Sequence, residues 1–148
     1  MVVAQGALAL GGVILGFLLA RQRTSQPIRR LGVSDAPFCH AVVHGSTVYL
    51  SGVTAQADGK PLSESDSVEE QTRRVLAVID SRLACAGVDK SRIIQAQVWL
   101  KDISRDFKPM NSVWNEWVGS MNKPTRATVE ARLCTPAMLV EIQVTAAL

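Results

Sequence analysis

The fold turns on Pro124-Thr-Arg-Ala-Thr-Val-Glu-Ala-Arg-Leu-Cys-Thr-Pro-Ala-Met-Leu-Val-Glu-Ile142. From Thr125 to Leu133 the side chains alternate, with Arg126, Thr128 and Glu130 on one side and Ala127, Val129 and Ala131 on the other. That is the period of a strand. Leu139 to Ala147 alternates again, with Val140, Ile142 and Val144 opposed to Glu141, Gln143 and Thr145. Cys134-Thr-Pro-Ala-Met138 lies between, where Pro136 fixes a bend and withholds a ladder donor. Read by itself, the stretch is a hairpin that sets Glu141 opposite Ala131. This places Glu141 roughly 16 Å along the strand from Arg126, at about 3.3 Å per residue. On that register the two do not meet within one chain, and a site using both draws them from different subunits. A mid-strand arginine is costly to bury unless a carboxylate or ligand meets it.

Upstream of this stretch the elements follow in order. His40-Ala-Val-Val-His44 and Thr47-Val-Tyr-Leu-Ser51 read as a hairpin turning at Gly45-Ser46. Gln56 to Ser65 reads as a loop, with Asp58-Gly59 a turn and Pro61 a breaker. Ser67-Val-Glu-Glu70 is a capping box. It opens a helix striped by Val68, Val75, Leu76, Val78, Ile79 and Leu83 and ended at Gly87. Ile93 to Leu100 reads as a strand, with Ile94, Ala96, Val98 and Leu100 on one face and Gln95, Gln97 and Trp99 on the other. A second helix is expected from near Asp106 to Gly119, with Pro109 in its first turn and Phe107, Met110, Val113, Trp114 and Trp117 on its apolar side.

The order is ββαβαββ, a single α+β domain with two helices on one face of a mostly antiparallel sheet of about five strands. The opposite face is expected to carry Gln95, Gln97, Trp99, Arg126, Thr128, Glu130 and Glu141. That is too polar for a core, and Trp99 makes it too aromatic for a purely solvated surface. A subunit interface enclosing polar pockets fits it.

The chain divides into an apolar segment at 1–20, a basic linker at 21–34 and a domain at 35–148. From Val2 to Ala20 only Gln5 is polar, which is long enough to cross a bilayer as a helix. Arginines follow the run rather than precede it, which favours a membrane anchor with the domain facing the cytoplasm. A mitochondrial or other organellar leader and a cleaved secretory signal are the alternatives. Gly12 and Gly16 have the spacing of a helix-pairing motif, which small-residue composition also explains.

Of the 16 Lys and Arg, four (Arg21, Arg23, Arg29 and Arg30) precede Asp35, the first of the 13 acids. The remaining 12 leave residues 35–148 near a charge of −1. The basic segment suits anionic lipid heads. The balanced domain argues against nucleic-acid binding, which wants the excess on the folded body. Cys39, Cys85 and Cys134 have neither paired nor metal-ligand spacing, and an odd count suits a reducing compartment. His40 and His44 flank a strand rather than a helix turn and have no acidic residue beside them, so no metal site is expected.

Pro124-x-Arg126-x-x-Val129, followed after a turn by Val140-Glu-Ile142, resembles the signature of the RidA/YjgF family of small trimeric enamine/imine deaminases. The resemblance runs from about Val33 to Leu148, through Val48-Tyr-Leu-Ser-Gly52 and Phe107-x-x-Met-Asn111. Asn111-x-x-Trp-x-x-Trp117 and the ending Val-Thr-Ala-Ala-Leu148 are most similar to the YoaB-like branch. The resemblance implies a chorismate-mutase-like trimer, helices outside, with ligand clefts between subunits. It implies hydrolysis of 2-imino or enamino acids without metal or organic cofactor. Arg126 would hold the substrate carboxylate, and its planar fork suits two oxygens at once. Glu141 would position water and shuttle the proton. Ser51, Asn111, Thr128 and Phe38 would line the pocket.

Two positions depart from the best-known pattern. Phe38 stands where a pocket tyrosine is usual, and Thr128 where a cysteine is usual, so the reaction should need no thiol there. Other roles for these residues stay open: an Arg126–Glu130 ion pair, Glu141 as a backbone partner, Ser51 as turn chemistry, and Asn111 bonded within its own helix. A non-catalytic carboxylate-binding module and a ribonuclease or translation inhibitor are the other classes in play. The balanced charge weighs against the latter.

Overall fold

Val140–Ala147 occupies the middle of the sheet because one whole side of it is core: Val140, Ile142, Val144 and Ala146 are all at most 1 % exposed. The computed structural model describes residues 26–120 and 123–148, so the apolar run at 2–20 and the start of the linker, residues 21–25, lie outside the described residues. The strands are β1 (Arg29–Leu31), β2 (Ala41–His44), β3 (Thr47–Leu50), β4 (Val53–Thr54), β5 (Ile93–Leu100), β6 (Thr125–Glu130) and β7 (Val140–Ala147). Helix α1 (Val68–Ala86) precedes β5 and α2 (Ile103–Val118) follows it. The sheet order is β1-β2-β3-β7-β5-β6, with the short β4 also paired to β7. All pairings are antiparallel except β5 with β6.

The architecture is the α+β domain expected, with two helices against one sheet face, and β1 and β4 are additions to the expected order. β1 lies within the segment read as linker; its Arg30 pairs with Val42 at the sheet edge. β2 and β3 form the expected hairpin, His44 opposite Thr47. Ser67 caps α1 by accepting from the Glu70 amide at 3.2 Å. Gly87 ends it at φ 87°, a left-handed conformation that glycine tolerates. Val75, Leu76, Ile79 and Leu83 bury the helix stripe against the sheet.

Four expectations are corrected. The terminal strands are not a hairpin: β5 lies between them, parallel to β6 and antiparallel to β7. Residues 131–139 cross the end of β5, with Ala131 N–H donating to Leu100 O and Lys101 N–H to Leu139 O. A connection that long does not impose two-residue hairpin geometry, and β5, with a continuous apolar face, takes the place beside β7. Consequently Glu141 stands opposite Trp99, not Ala131.

The second correction concerns faces. Arg126, Thr128 and Glu130 are lateral partners of Ala96, Val98 and Leu100, which are core residues, so they point to the helix side of the sheet. Gln97, Trp99 and Glu141 do face away from the helices. Third, a register irregularity between Ile93 and Gln95 buries Ile93 and leaves Ile94 52 % exposed, reversing the expected face of Ile94.

Fourth, α2 begins a turn earlier than expected. Asp102 caps it by accepting from the Arg105 amide at 3.0 Å, which places Pro109 inside the helix. Pro109 supplies no N–H there, so the helix forgoes one internal hydrogen bond. Met110, Val113 and Trp114 are buried as expected, whereas Phe107 is 37 % exposed.

Candidate functional site

Arg126 leaves β6 on the helix side and meets α2. Its Nη2 donates to Asn111 Oδ1 at 2.6 Å, and its guanidinium lies over the Trp114 ring, 5.0 Å from the centroid. Asn111 and Trp114 are three residues apart on α2 and therefore project from the same helix face. Trp114 is buried and provides a fixed aromatic floor for the cation. Arg126 Nη1 is enclosed without a hydrogen-bond partner, and so is the hydroxyl of Thr128, two residues along the same strand face. Buried polar atoms without partners are unusual in folded proteins. Burial pulls the guanidinium down from its ordinary pKa, although an arginine stays charged. Glu130 does not pair with Arg126; its Oε2 accepts from Ile103 N–H at the start of α2. The ion-pair alternative is therefore not the arrangement present.

Glu141 projects from β7 on the other sheet face. Its neighbours across the ladders are Trp99 on β5 and Thr54 on β4. Burial pushes its carboxyl up from the ordinary value, and no attractive charge offsets this. Gly52 makes room for it: a Cβ at position 52 would overlap Glu141 Oε1. Next to Gly52, Ser51 Oγ donates to Cys39 O at 2.6 Å, fastening the loop that carries Phe38 to the end of β3. Ser51 and Phe38 line one open cavity of about 470 Å³, and Phe38 is 57 % exposed there.

The structure thus sorts the six expected residues into two groups. Arg126, Asn111 and Thr128 assemble at the β6–α2 edge. Glu141, Ser51 and Phe38 assemble on the outer sheet face. Arg126 and Glu141 do stay apart within one chain, but the reason is opposite sheet faces rather than hairpin register. Trp114 and Gly52 were not singled out from sequence. Only the spacing Asn111-x-x-Trp114 hinted at the first, and nothing in the order of residues ties Gly52 to Glu141. Among the described residues no three His, Cys, Asp or Glu side chains come together as a metal-binding group.

A family model described as "Endoribonuclease L-PSP" matches residues 30–148. A RutC family protein of Haemophilus ducreyi is 39% identical over 121 residues, covering 82% of this chain and 97% of that one. RutC family protein YoaB of Escherichia coli is 37% identical over 114 residues, covering 77% and 93%. Among solved structures, a member of the YjgF protein family from Neisseria meningitidis superposes with a TM-score of 0.73 at 36% identity, covering 83% of this chain and 96% of that one.

Proposed function

The chain belongs to the RidA/YjgF family of RutC-like proteins, and from that premise we propose that it hydrolyses reactive 2-imino and enamino acids to 2-oxo acids and ammonia. The observation that carries the reading is the pair of enclosed, unpartnered polar atoms at Arg126 Nη1 and Thr128 Oγ1, beside a guanidinium held from behind by Asn111 and Trp114. A substrate carboxylate answers that arrangement, since it accepts from a guanidinium fork and from a hydroxyl at once.

Glu141 supplies the proton chemistry. A carboxyl whose pKa is raised by burial is poised to give and take a proton nearer to neutral pH. As carboxylate it takes a proton from water while the water oxygen bonds to the imine carbon and the C=N π pair moves to nitrogen, which receives that proton from the Glu141 carboxyl. The carbinolamine then collapses: Glu141 relays the hydroxyl proton to the amino nitrogen as C=O forms, the C–N bond breaks and ammonia departs. No thiol is required, in keeping with Thr128.

Because the two groups lie on opposite faces of one sheet, the site in this reading is shared: the Arg126 group of one subunit against the Glu141 group of the next, in a homotrimer. Tyr49 and Val129, 49 % and 43 % exposed on the outer face, are suited to cover by a neighbour. Residues 2–20 would tether the trimer to a membrane with the domains in the cytoplasm. A non-catalytic carboxylate-binding module draws some support from Phe38, which brings no hydroxyl to the cavity. A nuclease has no excess of basic groups after residue 34 to rest on.

Imine generated enzymatically as 2-iminobutanoate, with semicarbazide trapping and ammonia release as readouts, tests the proposal. Wild type should accelerate hydrolysis, and Arg126→Lys should lose roughly ten- to hundredfold in kcat/KM while keeping its oligomeric state. That loss corresponds to about 1.5–3 kcal/mol for a charge-assisted hydrogen bond that an ammonium does not reproduce. Near-wild-type activity in Arg126→Lys would mean that the carboxylate clamp is wrongly assigned. Binding of 2-oxobutanoate without any turnover would favour the binding module.

A further inference from the structure

The outer-face cavity beside Ser51 has a feature that imine hydrolysis by itself does not use. Among the described residues lining it, Arg30 is the one charged side chain, set among the apolar Val33, Pro37, Phe38 and Val42. The ladders place Arg30 on the Glu141 side of the sheet. Arg30 stands beside Val42, Val42 beside Tyr49, and Tyr49 beside Thr145, which shares a face of β7 with Glu141. Ser51 then joins the cavity to the carboxylate, because the next residue, Gly52, abuts Glu141 Oε1.

The other polar groups of the cavity have partners within the loop. Cys39 Sγ contacts Ala41 O at 3.4 Å, and Ser51 Oγ donates to Cys39 O. Arg30 makes no ion pair among the described residues. A cation among apolar side chains, in a cavity whose Ser51 adjoins the Gly52–Glu141 contact, has the makings of a side-chain pocket for an acidic group.

We infer that Arg30 is a specificity-determining residue and that the cavity takes the side chain of a dicarboxylic 2-imino acid, its methylenes against Phe38 and Val42 and its terminal carboxylate on the Arg30 guanidinium. The inference rests on the proposed function for the identity of the reacting group, but not for the recognition of the distal carboxylate. The planar guanidinium binds such a group through two parallel donors. Arg30 is solvent-exposed, which limits the gain to that of a screened, charge-assisted contact.

The test is calorimetric titration of the full-length protein with 2-oxoglutarate and with 2-oxobutanoate, product analogues that differ in the distal carboxylate. Wild type should bind 2-oxoglutarate roughly three- to tenfold more tightly. Arg30→Ala should bring the ratio of the two dissociation constants to about one, and Arg30→Lys, which keeps the charge, should retain part of it. A ratio near one in wild type, a preference that survives Arg30→Ala, or failure of both acids to bind overturns the assignment. Turnover of 2-iminobutanoate is measured on the same preparation. Hydrolysis of 2-iminobutanoate with no Arg30-dependent preference removes the side-chain pocket and leaves the hydrolase; an Arg30-dependent preference without hydrolysis of that imine does the reverse.

Discussion

Gly52 lacks a side chain at the place where Glu141 Oε1 would collide with one. The nearest atoms are the end of a flexible side chain, so a methyl group there moves the carboxylate rather than the backbone. Gly52→Ala should therefore fold with nearly unchanged thermal stability and lose up to about a hundredfold in kcat, the scale of a 1 Å misplacement of a catalytic group. Comparison of kcat and Tm for this variant checks the positioning; full activity would show that Glu141 need not stay where it is. Glu141 also links to pH through stability. Its folded pKa is raised, so its burial is least costly while protonated and becomes more costly as pH rises through that raised value. Glu141→Gln should gain Tm relative to wild type on going from about pH 4 to about pH 7. A difference that stays constant or reverses would mean that desolvation does not dominate this carboxyl.

Between elements, Gln71 of α1 is the side chain that fixes the crossing loop. It is 1 % exposed, donates to Ala137 O at 2.8 Å and accepts from Leu139 N–H at 2.9 Å. Those two bonds hold residues 131–139 over the end of β5 and deliver β7 to its central place. Removing the amide leaves a buried backbone donor and acceptor without partners, a cost of about 1–3 kcal/mol. Gln71→Ala should lower urea-unfolding stability by that amount, and by more than loss of the exposed Ser67 cap in Ser67→Ala, which is worth roughly 1 kcal/mol. Equal effects of the two variants would remove the loop-fixing role. The β5–α2–β6 unit is equally consequential, because the helix between parallel strands is what brings Asn111 and Trp114 over Arg126.

For the whole molecule, opposite-face placement of Arg126 and Glu141 makes subunit mixing informative. If the proposed cleft is shared in a cyclic trimer, each site takes one group from each of two chains. Arg126→Ala and Glu141→Gln chains, each inactive, should regain about one quarter of wild-type activity when unfolded together, mixed equally and refolded, because about that fraction of clefts pairs two intact halves. No gain on mixing, in assemblies of trimeric size by sedimentation, would place each site within a single chain. The apolar run at 2–20 predicts a separate property, retention of the full-length chain in the membrane pellet after carbonate extraction. Its appearance there in the supernatant would remove the tether.

Periodicity, caps and breakers are written in neighbouring residues. For that reason the strands from Ala41 onward other than the two-residue β4, both helices, the α+β class and the membership of Arg126, Glu141, Ser51 and Asn111 in a family signature were all legible along the chain. Strand pairing is not a local property. Whether β6 lies against β7 or β5 depends on which apolar faces bury most completely, and that competition is settled only when α2 and the crossing loop are packed. The faces of Arg126 and Thr128 followed from the pairing, and with them the division of the site into two halves. The irregularity at Ile93–Gln95 turned Ile94 outward for the same reason, since one residue of slip exchanges the two sides of a strand. Gly52 against the carboxylate and Arg30 in the outer cavity came from contacts between segments far apart in sequence, where no spacing rule reaches; for Trp114, spacing hinted only at the face shared with Asn111, and the packing of β6 against α2 set it beneath the guanidinium.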